Sequence, residues 1–331
     1  MRLKILAALI LSVIGAYSIF WFVLAGNMQD RLDIWIEGQA AKGVEIKYSA
    51  LELYGFPYRM ELAVRDLEMK IPAGRQNPEP YWIEAEEVIA VAFPWKLDHL
   101  VLTSASFTMI RGRHDRPLME AAFLKARSSV NLASDNPAAD LGILQRLSVV
   151  ADQARFRGED KRTGRAHKGE WHADIVKFHY LKPDETAGTT DLDLPAWGHF
   201  YLEAQKLTMP DSAKIFLGEN LENLRLEMIL HAQQLPDYTV DGLSSWRDQG
   251  GTISFRKIDL KGPEIGLKAA GDLALDMQLK PLGAFSAQFG KLGPLLKTTG
   301  LADNQEYSLS FQNGRVFVGP LPVFGLEAVV E

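Results

Sequence analysis

The sequence predicts a mainly β protein. An N-terminal transmembrane helix and a short amphipathic helix precede a long, curved, groove-like antiparallel sheet with a few short helices. Three observations support this fold class: an uncharged apolar run opens the chain, apolar and polar residues alternate along most of the remainder, and few segments have helical spacing. The predicted units are a transmembrane signal anchor over 1–25, an amphipathic helix over 26–43 and a β domain over 44–331.

The first unit is predicted to cross a membrane once. Ile5 to Ala25 contains no charged residue, and a helix of this length, at about 1.5 Å per residue, crosses a ~30 Å bilayer core. Arg2 and Lys4 flank the run on its N-terminal side alone. This asymmetry predicts a cytoplasmic N-terminus, a single pass through the inner membrane and a C-terminal domain in the periplasm.

A cleaved secretory signal is the alternative for the same segment, because Val23 and Ala25 stand at the minus-three and minus-one positions before Gly26. The apolar run is longer than the ~7–15 residues of a typical signal core. The aromatic residues between Tyr17 and Phe22 also suit a membrane interface better than a cleavage site. An uncleaved anchor is therefore expected, and both alternatives export the rest of the chain.

The second unit, 26–43, is predicted to be helical. Met28, Leu32 and Ile36 recur at helical spacing and would share one face. Gly43 follows as a typical helix stop.

From Val44 onward the apolar residues alternate with polar ones, which is typical of strands with one buried and one polar face. The phase slips by one at Arg65-Asp66, which predicts a bulge or a break between strands. Asn313-Gly314 predicts a two-residue hairpin turn. Parallel strands would need helices between them, so the sheet is predicted to be antiparallel. Periodicity leaves open whether the sheet curls into a groove or folds over as a sandwich.

Few segments of the β domain have helical spacing. Short helices are predicted at 138–147, 211–217, 241–248 and 294–299, and polar loops at 76–80, 155–168 and 183–195. The last loop is the expected hinge if the β domain has two halves. The basic residues of 155–168 would suit a patch for lipid head groups, but the interspersed Glu159 and Asp160 favour a solvated hairpin.

Composition excludes several classes of function. The chain has no cysteine, so disulfides, thiolate nucleophiles and cysteine-based metal sites are absent. The net charge of -6 gives no broad attraction to nucleic acid, so no nucleic-acid partner is predicted.

The sequence contains no motif for catalysis, phosphate binding or dinucleotide binding. His167, His172 and His179 form the only histidine cluster. On one unbroken strand His172 and His179 would face opposite sides, which argues against shared metal ligation. The prediction is therefore a non-enzymatic protein without catalytic residues, cofactor or metal site.

Three motifs suggest a family. They are the bend Leu53-Tyr54-Gly55-Phe56-Pro57-Tyr58-Arg59, the turn Trp246-Arg247-Asp248-Gln249-Gly250-Gly251-Thr252, and the ending Asn313-Gly314-Arg315-Val316 with Gly319-Pro320. With the N-terminal anchor, they make the chain resemble an uncharacterised family of bacterial envelope proteins, domain of unknown function 2125. The resemblance extends from the anchor to the C-terminus, although ~110–220 has no matching motif. It implies a location in the cell envelope and supplies no site residues.

A looser, architectural resemblance is to AsmA-like proteins of the Gram-negative envelope, which also join a single N-terminal anchor to a series of amphipathic strands. This resemblance implies a role in outer-membrane assembly or in lipid passage along an apolar groove.

Two functions are predicted from these observations. The first is a membrane-anchored β protein that binds or shuttles the acyl chains of phospholipid in an apolar groove. The residues expected to line that groove are Leu224, Leu226, Met228, Leu230, Leu273, Leu275 and Met277. The alternative is a structural or scaffolding protein with a dry, closed β core that binds other envelope proteins.

Overall fold

The computed structural model describes residues 2–74, 79–114, 116–133, 143–160, 165–166, 170–183, 194–237, 239–326 and 328–329. The helices in this part of the chain are α1 (Arg2–Ala41), α2 (Asp211–Leu217), α3 (Val240–Asp248) and α4 (Pro294–Lys297). The first nine strands are β1 (Glu45–Lys47), β2 (Ala50–Tyr54), β3 (Met60–Ile71), β4 (Tyr81–Phe93), β5 (Lys96–Arg113), β6 (Arg116–Ala133), β7 (Ile143–Asp160), β8 (Arg165–Ala166) and β9 (Trp171–Leu181). The others are β10 (Ala196–Thr208), β11 (Asn220–His231), β12 (Thr252–Lys261), β13 (Gly266–Leu275), β14 (Pro281–Lys291), β15 (Gln305–Gln312), β16 (Arg315–Val318) and β17 (Leu321–Gly325).

The strands form one long antiparallel meander, which confirms the predicted fold class. Each strand from β2 to β7 and from β9 to β17 pairs with the next, and β7 pairs directly with β9. Strands β1 and β2 both lie along the side of β3 that β4 leaves free, and β8 pairs with the end of β7. Within the described residues β17 pairs with β16 alone. The sheet is therefore single, curved and open, and it does not fold over as a sandwich.

The N-terminal helix α1 is continuous from Arg2 to Ala41, so the predicted anchor and the predicted amphipathic helix form one element. Gly26 does not interrupt it, because one glycine within a helix costs only ~1 kcal/mol. The helix stops before Gly43, whose φ of 82° favours glycine, as predicted. By length and composition, the span from Leu3 to Ala41 could cross a membrane. The mean hydropathy of its most apolar stretch is 2.2, and only 6% of that stretch is buried against the rest of the protein.

The pairing register places apolar residues on the same face of successive strands. Leu226 of β11, for example, pairs with Leu202 of β10 and with Ile258 of β12. We call this surface the apolar face, and the surface that carries Arg225 and Glu227 the polar face. One member of the apolar face from each of β2–β7 and β9–β16 is Leu53, Leu62, Ala90, Leu102, Val130, Leu147, Phe178, Leu202, Leu226, Ile258, Ala269, Ala287, Leu309 and Val318.

Several strands contain an irregular residue in the left-handed region, at which the alternation of the two faces slips by one. These residues are Asp66, Lys125, Gln153 and Lys206, with φ of 49°, 49°, 50° and 49°. Beside them, apolar residues three apart share the apolar face, as Ala151 and Ala154 of β7 do at 2% and 0% exposure. The left-handed residue Asp66 confirms the phase slip predicted at Arg65-Asp66, and β3 continues through it without a break. At Asp66 and Lys206 the register with the neighbouring strands is unchanged, so the slips lie in line across adjacent strands and keep the apolar face continuous.

One predicted helix, 138–147, is wrong where the structure describes it. Strand β7 begins at Ile143, and Leu147 pairs with Val130 on one side and with Tyr180 on the other. The spacing of the apolar residues in this segment fits both structures, and pairing with two neighbouring strands decides for the strand. Residues 138–142 lie outside the described residues.

The remaining local predictions fall into two groups. Helices α2, α3 and α4 confirm the other three predicted helices, and Asn313-Gly314 forms the predicted hairpin turn with φ of 52° and 66°. The predicted loops are described in part: 75–78, 161–164, 167–169 and 184–193 lie outside the described residues. Strand β7 continues to Asp160 within the predicted 155–168 loop. Strands β9 and β10, on either side of the predicted hinge, pair directly, so the sheet is continuous there.

Candidate functional site

Short helices cover both ends of the apolar face in the C-terminal part of the sheet. Helix α2 connects β10 to β11, and α4 connects β14 to β15, so both lie at the same end of the strands and contact each other. Helix α3 connects β11 to β12 at the opposite end. The apolar face between these helices is the candidate site.

The first end is a closely packed apolar core beneath α2. Its buried members are Ala154, Ala173, Ala204, Leu207, Met209, Leu221, Leu260 and Ile265, and Ala213 and Leu217 of α2 pack against them. Gly293, just before α4, allows a close approach to α2, because a Cβ atom there would lie 2.0 Å from the carbonyl oxygen of Phe216. This end of the apolar face is therefore covered.

The second end is closed by α3, and here the Trp-Arg-Asp-Gln-Gly-Gly motif has a structural role. Trp246 is 7% exposed and packs in a cluster with Leu243, Leu275 and Leu279. Its Nε1 donates a hydrogen bond to the carbonyl oxygen of His231 at 2.9 Å. A Cβ atom on Gly251 would lie 2.3 Å from the indole ring, so only glycine fits against it.

The guanidinium of Arg247 adds a polar contact to this attachment. It donates to the carbonyl oxygens of Asp276 and Met277, both at 3.3 Å, in the turn between β13 and β14. Thr239 caps the first turn of α3 by accepting from the backbone N–H of Gly242 at 3.0 Å. Helix α3 is thus attached to both the β11 end and the β13–β14 turn.

Between the two covered ends lies an apolar strip that belongs to neither core cluster. We call it the open middle. It consists of Phe178, Phe200, Leu202, Leu226, Met228 and Phe255, all of which are half-buried. Their neighbours on the sheet fill only part of the space above them, since the sheet is a single layer. An apolar surface of this kind can bind an extended aliphatic chain but has no group that directs chemistry.

The seven residues predicted to line a groove occupy different parts of this arrangement. Leu226 and Met228 lie in the open middle, and Leu273 lies on the same face, half-buried, opposite Ile253. Leu224 packs against the core under α2, and Leu230 and Leu275 pack under α3. Met277 lies beyond the end of β13, in a turn, and is 75% exposed. Alternation in the sequence cannot locate the end of a strand, so it groups Met277 with the apolar face although the strand ends at Leu275.

The apolar face continues through the N-terminal half of the sheet. Val64 of β3, Phe107 of β5 and Val149 of β7 lie on it and are half-buried. Helix α1 packs at one corner of this half, where Trp21 and Ala25 bury Met60. The apolar surface of the open middle is therefore continuous with the part of the sheet nearest to α1.

The polar face contains a buried carboxylate that alternation alone did not single out. Glu203 of β10 is 5% exposed. Its oxygens accept hydrogen bonds from the Tyr201 hydroxyl at 2.5 Å and from Gln205 Nε2 at 2.6 Å. Lys177 and Arg225, on the neighbouring strands, approach at 3.5 and 3.8 Å. The Tyr-x-Glu-x-Gln spacing, which places the three side chains on one face of a strand, is the sequence signal for this network.

These contacts change the pKa of both acidic groups. The hydrogen bond from Tyr201, then that from Gln205, with smaller contributions from Lys177 and Arg225, lower the pKa of Glu203 to about 2. Burial and the hydrogen bond to Glu203 raise the pKa of Tyr201 to about 12. Glu203 is therefore ionised throughout the physiological range and fixes three adjacent strands to one another.

Replacing Glu203 by glutamine should reduce the free energy of unfolding at neutral pH by about 1.5–3 kcal/mol, since hydrogen bonds to a charged group are lost. The folded pKa lies below the ordinary value of 4.5. The stabilisation from Glu203 is therefore complete above about pH 4.5 and is lost as the pH falls toward about 2. Chemical denaturation at several pH values would measure it, and the difference between wild type and Glu203→Gln should shrink below pH 4.5.

The matched control is Glu222→Gln, which removes an ion pair with Lys261 from a side chain that is 57% exposed. A surface pair of this kind contributes within about 1 kcal/mol. A Glu203→Gln variant as stable as Glu222→Gln at neutral pH would contradict the assignment.

A second polar cluster contains serine, histidine and aspartate. Ser254 and His231 are 4% and 3% exposed, and the Ser254 hydroxyl donates to Asp272 Oδ1 at 2.6 Å and lies 3.3 Å from His231 Nε2. A catalytic triad needs histidine between serine and aspartate. Here serine stands between the other two, and its hydroxyl donates a hydrogen bond to the carboxylate. These three residues can therefore hold β11, β12 and β13 together, but they are not arranged for nucleophilic catalysis.

The histidine cluster is arranged differently from the expectation. His172 and His179 both lie on the polar face, because the alternation of the two faces slips by one between Ala173 and Val176. His172 contacts Gln153 at 3.3 Å, and the ring of His179 lies 5.5 Å from that of Tyr201. The two are seven residues apart, or roughly 23 Å along a strand. His167 is outside the described residues, and the side chains that are described contain no group suited to hold a metal ion.

The fold and the candidate site define a class of protein: an open, single-layer antiparallel sheet with one apolar face, joined to a long apolar N-terminal helix. The sequence profile of a family described as "uncharacterized protein conserved in bacteria (DUF2125)" matches residues 21–326. The chain belongs to this family, which confirms the resemblance of its three motifs. No curated protein and no solved structure matches. The looser resemblance to AsmA-like proteins stays a prediction.

Proposed function

We propose that this protein is a non-enzymatic protein of the cell envelope, anchored in the inner membrane by α1, that binds phospholipid acyl chains on the open middle. The sheet would lie in the periplasm, since Arg2, Lys4 and the amino terminus lie immediately before the apolar part of α1, whereas the first basic residue after it, Arg31, is six residues beyond Ala25. The observation that supports acyl-chain binding is the open middle itself, a half-buried strip of aliphatic and aromatic side chains between two covered ends.

The exposure of the side chains along one strand, β11, favours a ligand-binding surface rather than a closed core. In β11, Leu221 is 1% exposed beneath α2, whereas Leu226 and Met228 are half-buried on the same face. The helices therefore cover the ends of the face and leave its middle accessible. Soluble proteins rarely expose contiguous apolar surface of this extent unless it binds something.

The electrostatics of the strip fit a hydrocarbon chain. Charged side chains near it, such as Arg225, Glu227 and Lys257, belong to the polar face of the same strands. An acyl chain on the open middle would lose its contact with water without desolvating a charge, and each buried methylene would contribute about 0.8 kcal/mol. A polar ligand would find few partners there.

Photo-crosslinking in intact membranes tests this proposal directly. A benzophenone amino acid at Leu226 should form an adduct with phospholipid, because that side chain lies in the open middle. The matched control is Leu282, which is on the opposite face of β14 and is 44% exposed. The same amino acid at Leu282 should give no lipid adduct.

Adducts of Leu226 with one other envelope protein, and none with lipid, would favour the scaffolding alternative. Equal lipid adducts at Leu226 and Leu282 would show that capture does not depend on the apolar face, and would contradict the proposal.

A further inference from the structure

We propose that the β2–β3 and β4–β5 turns bind the phospholipid interface of the membrane that α1 spans, and that they seat the first strands of the apolar face on its outer leaflet. The inference rests on the proposed function, since it requires α1 to lie in a bilayer. Its evidence is a group of aromatic residues shared by α1 and the two turns.

The β2–β3 turn is attached to the apolar part of α1. The Tyr17 hydroxyl donates a hydrogen bond to the carbonyl oxygen of Pro57. The Phe56 ring lies 5.5 Å from Trp21 and 5.5 Å from Phe22, edge-on to the first and stacked on the second. These contacts fix the turn beside the helix.

The position of these contacts along α1 sets the depth of the turn. A bilayer core of ~30 Å takes about 20 helical residues, which from Ile5 extend to Leu24. Tyr17 lies seven residues before Leu24, or about 10 Å along the helix axis. A turn that contacts Tyr17, Trp21 and Phe22 therefore crosses the level at which the apolar core gives way to the head groups and extends about 10 Å into the core.

The side chains that the two turns expose are of the type found at that level. Phe56 and Tyr58 in the first turn are 45% and 76% exposed, and Phe93 and Trp95 in the second are 43% and 68% exposed. Phe93 and Trp95 stack with their ring centroids 5.3 Å apart. Aromatic side chains are enriched at membrane interfaces, where an apolar ring and a polar edge are both accommodated.

The second turn is also tied to the helix, because Leu97 packs against the cluster of Trp21, Ala25 and Met60. Lys96 and Arg59 beside the aromatic residues are exposed and would lie near lipid phosphates. Both turns thus share one occupant, the head-group region of phospholipid. A chain entering the apolar face at these strands would come from the leaflet without crossing water.

Fluorescence quenching in nanodiscs tests the placement on the full chain. Because the chain has no cysteine, single-cysteine variants can be labelled at one site with an environment-sensitive dye. Tyr58→Cys reports on the first turn and Lys96→Cys on the second. Met277→Cys is the control, an equally exposed position in the turn between β13 and β14. Ile10→Cys reports on the apolar run of α1 itself, away from both turns.

Lipid with a doxyl group near the head group should reduce the fluorescence at residues 58 and 96 roughly two-fold or more and leave residue 277 unchanged. Lipid with a doxyl group near the chain end should quench residue 10. If the dye at residue 10 is quenched but the dyes at residues 58 and 96 respond like the dye at residue 277, the turns do not bind the interface, although α1 still lies in the bilayer. If the dye at residue 10 is not quenched, α1 does not lie in the bilayer, and both the proposed anchor and this inference are wrong. Quenching at 277 equal to that at 58 would also overturn this placement.

Discussion

Replacing Trp246 by alanine should reduce the free energy of unfolding by about 3–5 kcal/mol, the usual cost of removing a buried aromatic side chain. Trp246 is 7% exposed and is the central residue of the cluster that holds α3 over Leu275 and Leu279. Its loss would leave a cavity beneath α3 and an unpaired carbonyl oxygen on His231. The midpoint of urea denaturation measures the change.

Two further variants separate the contributions to this effect. Trp246→Phe keeps most of the apolar burial and loses the hydrogen bond to His231, so it should cost less than Trp246→Ala. Val240→Ala is the matched surface control in the same helix, because Val240 is 46% exposed, and it should change stability by no more than about 0.5 kcal/mol. Equal stability of Trp246→Ala and Val240→Ala would show that α3 is not held by the indole.

Hydrogen exchange gives a local readout of the same substitution. In Trp246→Ala, the amides of α3 and of the turn that accepts from Arg247 should exchange faster, whereas those under α2 should keep their protection. Faster exchange at both ends would mean that the two covered ends unfold together rather than separately.

The sheet could be predicted from the sequence because its physical basis is local. Alternation over Leu224 to Leu230 specifies which side chains share a face, and the phase slip at Arg65-Asp66 coincides with a residue in the left-handed region, Asp66. A meander of antiparallel hairpins pairs each strand with its neighbours in the chain, so local patterns suffice. Alternation could not distinguish a sheet curled into a groove from one folded over as a sandwich, since both need strands with one apolar face.

The candidate site was less predictable, because it depends on which parts of the apolar face are covered. Leu224 and Leu226 have the same pattern in the sequence, yet one packs against the core under α2 and the other lies in the open middle. That difference arises from the placement of short helices that follow other strands. The buried Glu203 network was missed for a similar reason: the partners Lys177 and Arg225 come from neighbouring strands.

The predicted anchor and the predicted amphipathic helix form one continuous helix, α1, and this limits how far the sheet can lie from the membrane. A 40-residue helix is about 60 Å long, roughly twice the thickness of a bilayer core. Its C-terminal half would extend beyond the membrane while contacts at Tyr17 and Trp21 hold the sheet close to it. The position of the apolar face relative to the leaflet would thus be set by a rigid element rather than by a flexible linker.

Replacing Leu226 by lysine should remove bound phospholipid while the sheet stays folded. Leu226 lies near the centre of β11 and pairs with Leu202 and Ile258, so a lysine there is about six residues, or roughly 20 Å, from either end of the strand. Its side chain is too short to bring the ammonium group to an edge of the face. Without a ligand the group would remain hydrated, because the open middle is only half-buried.

An acyl chain over the same site would have to desolvate the ammonium group. An uncompensated lysine in a hydrocarbon environment costs about 2.5–3.5 kcal/mol, which corresponds to roughly 60- to 300-fold weaker binding at 1.4 kcal/mol per factor of ten. Native mass spectrometry of the detergent-extracted protein should therefore find lipid on the wild type and little on Leu226→Lys. Circular dichroism would confirm that the strand content is unchanged.

Leu282→Lys is the matched control, the same substitution on the opposite face of the sheet at a side chain that is 44% exposed. It adds the same charge to the protein but leaves the open middle unaltered, so its bound lipid should equal that of the wild type. A loss of lipid from both variants would point to net charge instead of position. Retention of lipid by a folded Leu226→Lys protein would place the acyl chain elsewhere, and the open middle would then have to be covered by another envelope protein, as the scaffolding alternative requires.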